Sequence, residues 1–455
     1  MPAREHVFLY VLLLAASAAS AGAQAGQAAP PKGAEALELH GKLEVQDGHK
    51  VLTVWGTPAE RGFAHGYLLG KEIVTLLSED FGGFMKKASM QPKDYDRRVV
   101  RTLVPSFRID EDEKAELEGI LKGLRARLDP TERRVGFLDR EIEYGDLLAI
   151  NTVGDWLALG CSTVALHGAK VVGGKPAVAR NFDFWGFRSL LEEQVIVRSK
   201  ASESSHAFVA VTHVGSIGAI TAMNDEGVFV SIHDVPRVAG MQALLNGNVP
   251  RLVALRRLAQ RLAAKGAVEK AHEFLDAWPT LYGNNVMVVT PDAESRFAGV
   301  LEYDAFEKVD DGATLRVADR HADGVVAHNG ENGKNGENGD AQPKELFLTC
   351  TNHHRTRALK GKEPSACSRY AKISAWCNAR EEPADADALF EVAARAAFSG
   401  PDDKLERYRL GTLHQAVGFT GTRTLHLRLG RTGETLGAQK PFVVCVDDLK
   451  EAAAK

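Results

Sequence analysis

Four short stretches of this sequence carry residue types that can do covalent chemistry together. Gly160-Cys161-Ser162-Thr163 sets a thiol where a helical pattern gives way to a strand pattern. Nineteen residues on stands Arg180-Asn181-Phe182-Asp183, and much later come Thr351-Asn352 and Ser368-Arg369-Tyr370. The thiolate is the reactive form of cysteine, and a neighbouring cation favours it. Singly, each piece has an ordinary reading. Free cysteine is usually a small buried hydrophobe, Arg-x-x-Asp a surface ion pair, Asn352 a turn residue and Arg369 a helix N-terminal charge. Their order along one chain is what carries weight.

The set resembles the cysteine-type N-terminal-nucleophile (Ntn) hydrolases, which include isopenicillin-N acyltransferase-like peptidases, choloylglycine (bile salt) hydrolases and the acid ceramidase group. The acyltransferase-like branch fits best. Gly62-Phe63-Ala64-His65-Gly66, then Asp146-Leu147-Leu148-Ala149-Ile150-Asn151, then Gly160-Cys161-Ser162 follow that branch's order of motifs, and the likeness runs from about Val54 to Val446. The resemblance implies Cys161 as nucleophile, with Arg180, Asp183, Asn352 and Arg369 as its catalytic companions. It also implies self-cleavage between Gly160 and Cys161. An N-terminal cysteine carries base and nucleophile on one residue, since an α-amine titrates near about 7.7–8.0 and a thiol near about 8.5. On this pattern Asp183 orients the amine, Arg180 favours the thiolate, Asn352 donates to the oxyanion and Arg369 braces the site. Asp234 falls where bile salt hydrolases have an asparagine, as an oxyanion or substrate-binding position. An acid there is harmless only if the backbone serves. His65 reads as structural. Trp156 and Trp185 read as core packing first and acyl-pocket lining second.

The elements that must position these residues are legible in outline. Thr57, Pro58 and Glu60 form a capping signature for a helix reaching Leu77. Asp110 to Leu124 and Asp146 to Leu159 read as helices. Short strand patterns follow at 164–166, 171–172, 177–179, 194–198 and 207–212, with turns at Gly173-Gly174 and Asn224-Asp225-Glu226-Gly227. Helices are expected at 249–264 and 268–278, strands at 285–290 and 297–303. Later come a strand at 345–351, helices at 366–378 and 385–398, and strands at 422–429 and 441–446. Helices, antiparallel strands, helices, strands is an α+β order. The resemblance sharpens it to a four-layer αββα Ntn-hydrolase sandwich with two antiparallel sheets.

Composition excludes several classes. The 455 residues are 44% hydrophobic and 25% charged, with formal net charge −4, so nothing calls for nucleic acid as a partner. Arg251, Arg256, Arg257 and Arg261 read as the solvated face of a helix. No phosphate-binding loop or His-Glu-x-x-His helix appears, and the five cysteines lack Cys-x-x-Cys spacing. His353 and His354, adjacent on an expected strand, would face opposite ways. No metal and no cofactor are expected. Arg4 and His6 before the apolar run Val7–Ala16, with Ala21-Gly22-Ala23, read as an export signal cut before Gln24. The expected organisation is a signal at 1–23, a tether and first strand region at 24–53, a helical propeptide or α chain at 54–160, and a β chain at 161–455. An Asn-Gly-rich insert at 323–340 reads as a disordered surface loop. The expected protein is secreted or periplasmic, a zymogen whose two chains stay associated, with no membrane span after signal removal. It would cut the amide of a small N-acyl substrate through a thioester on Cys161. The alternatives are an acyltransferase or an esterase or phospholipase of the same fold, or an inactive exported binding protein.

Overall fold

The computed structural model describes residues 39–155, 160–186, 188–238, 247–292, 296–304, 312–317, 347–357, 366–398 and 409–451. The expected export signal, Trp156 and the Asn-Gly-rich insert lie outside them.

Helix α1 (Pro58–Leu76) starts as its sequence requires. The Thr57 side chain accepts from the Glu60 N–H, and Glu60 Oε2 accepts from the Thr57 N–H at 2.7 Å, a closed capping box. Helix α2 (Glu111–Arg127) has the same device between Asp110 and Glu113. The two cross at backbone contact. A Cβ on Gly62 or Gly66 would stand 1.9 Å from the carbonyl oxygen of Glu116 or Ile120, and one on Gly123 would stand 2.0 Å from that of Phe63. The Gly62-to-Gly66 motif is therefore a packing device, and His65 within it is buried as expected. Helix α3 (Tyr144–Thr152) is shorter than its apolar pattern. It tightens into a single turn over Val153–Asp155.

Two large sheets follow. The first runs β1 (Gly41–Gln46), β2 (His49–Val54), β7 (Gln194–Ser199), β8 (Phe208–His213), β9 (Thr221–Asn224), β10 (Phe229–Val238), β11 (Tyr282–Val289), β12 (Ala298–Tyr303), β13 (Thr314–Arg316). The second runs β14 (Phe347–Cys350), β5 (Gly160–Leu166), β6 (Ala177–Gly186), β15 (Arg409–Phe419), β16 (Thr424–Leu429), β17 (Phe442–Cys445). The two-residue strands β3 (Arg134–Val135) and β4 (Arg140–Glu141) form a small separate hairpin. Pairing in the large sheets is antiparallel except between β2 and β7, which run parallel.

Side-chain alternation gives the layers. Ala165, Val178 and Ala416 of the second sheet pack with Val51, Ile196, Val209 and Met287 of the first, forming the core between the sheets. Val164, Ala177, Ala179 and Val417 face the other way, onto α6 (Ser368–Ala379) and α7 (Ala386–Ala396). The largest core joins the first sheet to α1, α2, α3, α4 (Arg251–Arg261) and α5 (Ala267–Asp276). The order helix, sheet, sheet, helix is the expected αββα sandwich.

Some local expectations need correction. Val171 makes only an isolated bridge to Ala384. His353 and His354 lie in a bend after β14, not on a strand. Arg251, Arg256 and Arg257 are not solvated. They are 1–5% exposed, because carboxylates from distant elements cover them. Arg257 forks onto Glu113 at 2.7 and 2.6 Å, and Arg256 binds Glu116 at 2.6 Å. Strand β15 was not expected at all.

Candidate active site

Cys161 is the second residue of β5 and fully buried. It pairs with Phe182 of β6, and Thr163 pairs with Arg180, so Cys161, Thr163, Arg180 and Phe182 share the face turned toward the other sheet. Gly160 pairs with Asp183 on the opposite face. On its other side β5 is flanked by β14, but that ladder stops at Cys350 opposite Thr163. Beyond it, side chains take over the backbone's work. Asn352 Oδ1 accepts from the Cys161 N–H at 2.8 Å, and Arg369 Nη1 donates to the Cys161 carbonyl at 3.0 Å. The Cys161 nitrogen is thus held by a side chain at the point where the β14 ladder ends.

The thiol has a different partner. Arg180 Nη2 lies 3.5 Å from Cys161 Sγ. The guanidinium is otherwise spent on neutral acceptors: Thr221 Oγ1 at 2.6 Å, the Ile232 carbonyl at 3.0 Å, the Ile220 carbonyl at 3.2 Å and His233 Nε2 at 3.5 Å. His233 Nε2 accepts here and also meets Thr163 Oγ1 at 2.7 Å, while Nδ1 faces the Asn285 carbonyl. Burial, reinforced by Arg180, holds this imidazole well below its usual pKa, so it is neutral. In the intact chain burial pushes the Cys161 thiol up to about 11, with Arg180 opposing.

Asp183 is fully buried, and burial raises its carboxyl to about 6 against the pull of Arg369 and Thr412. Arg369 Nη1 donates to Asp183 Oδ2 at 2.9 Å and Thr412 Oγ1 to Oδ1 at 2.6 Å. Arg369 also donates from Nη2 to Asn352 Oδ1. One guanidinium from the start of α6 therefore ties together the Cys161 carbonyl, Asp183 and Asn352. In the intact chain Asn352 Nδ2 donates to the Asp234 carbonyl at 2.7 Å. The Asp234 carboxylate points elsewhere, into a 2.5 Å pair with Arg251. The asparagine's hydrogen bond is to its backbone carbonyl.

All the sequence-derived site residues thus converge, with Asp234 entering through its carbonyl. The sequence reading missed Thr412, Thr163, Thr221, His233 and Arg251. It also missed how the helical layer reaches the site. His65 Nε2 accepts from the Gly215 N–H at 3.0 Å. Asn151 Nδ2 donates to the Gly215 carbonyl, and its Oδ1 accepts from the Ile217 N–H at 2.8 Å. Both grip the β8–β9 loop that leads to Ile220, an Arg180 acceptor. The two N-terminal motifs were visible, but nothing local shows what they hold. Among the described residues no cysteine is joined in a disulfide. Among the described residues the one group of clustered metal-ligand atoms is His206, Asp225 and Glu226. His206 Nδ1 meets Asp225 Oδ1 at 3.1 Å there, a pairing that requires no ion. No helix among the described residues is long and apolar enough to cross a membrane.

No protein-family model matches the chain, and no curated protein does. Several solved structures are similar at a distance. The Caenorhabditis elegans N-acylethanolamine-hydrolyzing acid amidase ortholog is 12% identical over 62% of this chain and 100% of its own, with a TM-score of 0.40. A conjugated bile acid hydrolase from Clostridium perfringens is 12% identical over 62% of this chain and 96% of its own, with a TM-score of 0.34. Penicillin V acylase from Agrobacterium tumefaciens is 13% identical over 62% and 84%, with a TM-score of 0.32. Likeness at this level fixes neither activity nor substrate.

Proposed function

We propose that this chain is an exported, self-cutting cysteine amidohydrolase of the N-terminal-nucleophile type. It would hydrolyse the amide bond of a small N-acyl substrate. One observation carries the reading: the nitrogen and the sulfur of Cys161 each have a separate buried polar partner, Asn352 Oδ1 and Arg180 Nη2. Any buried backbone N–H needs an acceptor, but a structural cysteine needs no cation at its sulfur, whereas a residue whose thiol must become the nucleophilic thiolate does.

Self-cutting begins with attack of Cys161 Sγ on the Gly160 carbonyl. The C–N bond breaks, a thioester forms, and the freed nitrogen takes a proton. Water then opens the thioester, leaving a Gly160 carboxylate and an N-terminal Cys161. In turnover the new amine removes the thiol proton, and the thiolate attacks the substrate's acyl carbon. The amine product leaves with a proton, and water releases the acid. Asn352 Oδ1 and the nearby Asp183 favour the charged amine, and Arg180 favours the thiolate. The same thioester serves ester substrates or an acyl acceptor other than water. Outside the cytoplasm water is the acceptor we favour, because acyl-CoA donors are scarce there. The two chains would stay together through buried contacts spanning the cut, such as Asn151 with Gly215 and Arg257 with Glu113.

The test is the intact mass and N-terminal sequence of each purified piece, followed by hydrolysis of a panel of N-acyl amides. The wild type should give a chain beginning at Cys161, and C161A one uncut, inactive chain. A mature, active C161A protein sinks the mechanism.

A further inference from the structure

A buried chain of charge spans the proposed cut. Asp155 lies five residues before Gly160 and is fully buried. Its carboxylate accepts from the Arg251 backbone N–H at 3.1 Å and sits 3.4 Å from Arg251 Nε. Arg251 is 1% exposed and stands at the first turn of α4. Its Nη1 pairs with Asp234 Oδ1 at 2.5 Å and donates to the Gly283 carbonyl at 3.2 Å. The guanidinium carbon stacks 4.9 Å from the centre of the Tyr282 ring. Asp234 sits where the β10–β11 ladder breaks into a bulge before Val238. With the ladder interrupted on one side, the side-chain anchor helps set where its carbonyl points. That carbonyl receives Asn352 Nδ2, and Asn352 Oδ1 receives the Cys161 N–H.

We infer that Arg251 is a positioning residue for the Gly160–Cys161 bond, tying Asp155 upstream of the cut to Asp234, whose carbonyl holds Asn352 against the Cys161 nitrogen. Its effect on cutting rests on the reading of Cys161 as nucleophile; the tie itself does not. One cation serves two buried carboxylates, and burial pushes Asp155 up to about 7 despite Arg251. Removing the arginine takes the cation away from two buried carboxylates. The carbonyl and asparagine that depend on Asp234 then lose their fixed place. The pairing also accounts for an acid at position 234, since Arg251 pairs the carboxylate and the backbone carbonyl is what meets Asn352.

The experiment reads the tie without requiring activity. In full-length C161A, which cannot cut by this route, deuterium exchange at the residue 161 amide is followed by fragmentation mass spectrometry. Adding R251Q should speed exchange there at least tenfold. Adding D234N to R251Q removes the carboxylate charge that Arg251 offset and should bring exchange back to within threefold of the parent. Unchanged exchange in C161A/R251Q overturns the inference, even if Tm falls. So does acceleration that D234N fails to reverse. If R251Q does not fold, R251K replaces it. Lysine keeps the charge without the fork, so exchange at least threefold faster is expected, and no change overturns the tie. In the Cys161 background R251Q should slow self-cutting about tenfold or more. A wild type that never cuts would refute the nucleophile reading while the exchange result still decides the tie.

Discussion

The helical layer and the strand that pairs beside Cys161 both bury arginines, and they treat them in opposite ways. Arg257 forks onto Glu113, while Arg256 and Arg61 share Glu116 at 2.6 and 3.2 Å. Each positive charge there meets a carboxylate. Arg180, equally buried, has hydrogen-bond partners that are neutral: two carbonyls, a threonine, an imidazole and the Cys161 thiol. The first arrangement joins elements far apart in sequence and ends with its charges paired. The second places a cation beside the atom that becomes an anion in the proposed mechanism. A buried charge without a hydrogen-bonded counter-ion costs stability, so under that mechanism Arg180 is set by chemistry rather than cohesion.

Replacing each kind of arginine is the direct way to break that comparison. R180M should lower the rate of self-cutting by about 10²–10³, the usual scale for removing one preorganised electrostatic group. Its Tm should fall less than that of R257M, because the acceptors it leaves are neutral and no carboxylate loses a hydrogen-bonded partner. R257M should do the reverse. Glu113 would be left nearly buried without its fork, costing about 3 kcal/mol, while the cutting rate of the folded protein changes less than twofold. Melting curves and timed gel densitometry on both variants decide the matter. If R180M loses as much stability as R257M, Arg180 is a structural cation and the distinction collapses.

The same contrast explains what could be read from the sequence. Cys161, Arg180 and Asp183 were legible because strand alternation and an ordered set of motifs place them on neighbouring strands. The capped helices were legible because Thr57 with Glu60 and Asp110 with Glu113 are local signals. Arg256 and Arg257 were not, since a helix face rich in arginine looks alike in solvent and under carboxylates about 140 residues away. Strand β15 was hidden because buried Thr412, His414 and Gln415 sit where an apolar alternation would be sought, with Gly411 and Gly418 at intervals. Two of those polar positions meet the candidate site: Thr412 donates to Asp183, and His414 meets Thr221 Oγ1 beside Arg180. The side chains that break the apolar pattern are thus partly the ones that contact that site.

Thr412 gives the smallest and sharpest test. Its hydroxyl donates to Asp183 Oδ1 at 2.6 Å, a bond that favours the ionised carboxylate. T412V keeps the shape and deletes the donor, so the Asp183 pKa should rise from about 6 by roughly half a unit to one unit, or about 0.7–1.4 kcal/mol. The sign for function is fixed by Asp183 acting ionised: the acid limb of the cutting rate should move to higher pH by that amount, with the alkaline plateau unchanged. The sign for stability is opposite in direction. A carboxyl raised above its unfolded value contributes stability that is full below about pH 4 and is lost as pH rises through the folded pKa. T412V should therefore fall further below wild type above pH 7 than at pH 4, where the remaining deficit is the Phe398 N–H that loses Oγ1 as its acceptor at 3.0 Å. An unmoved acid limb would mean that Asp183 holds the fold around Cys161 without taking part in the proton chemistry.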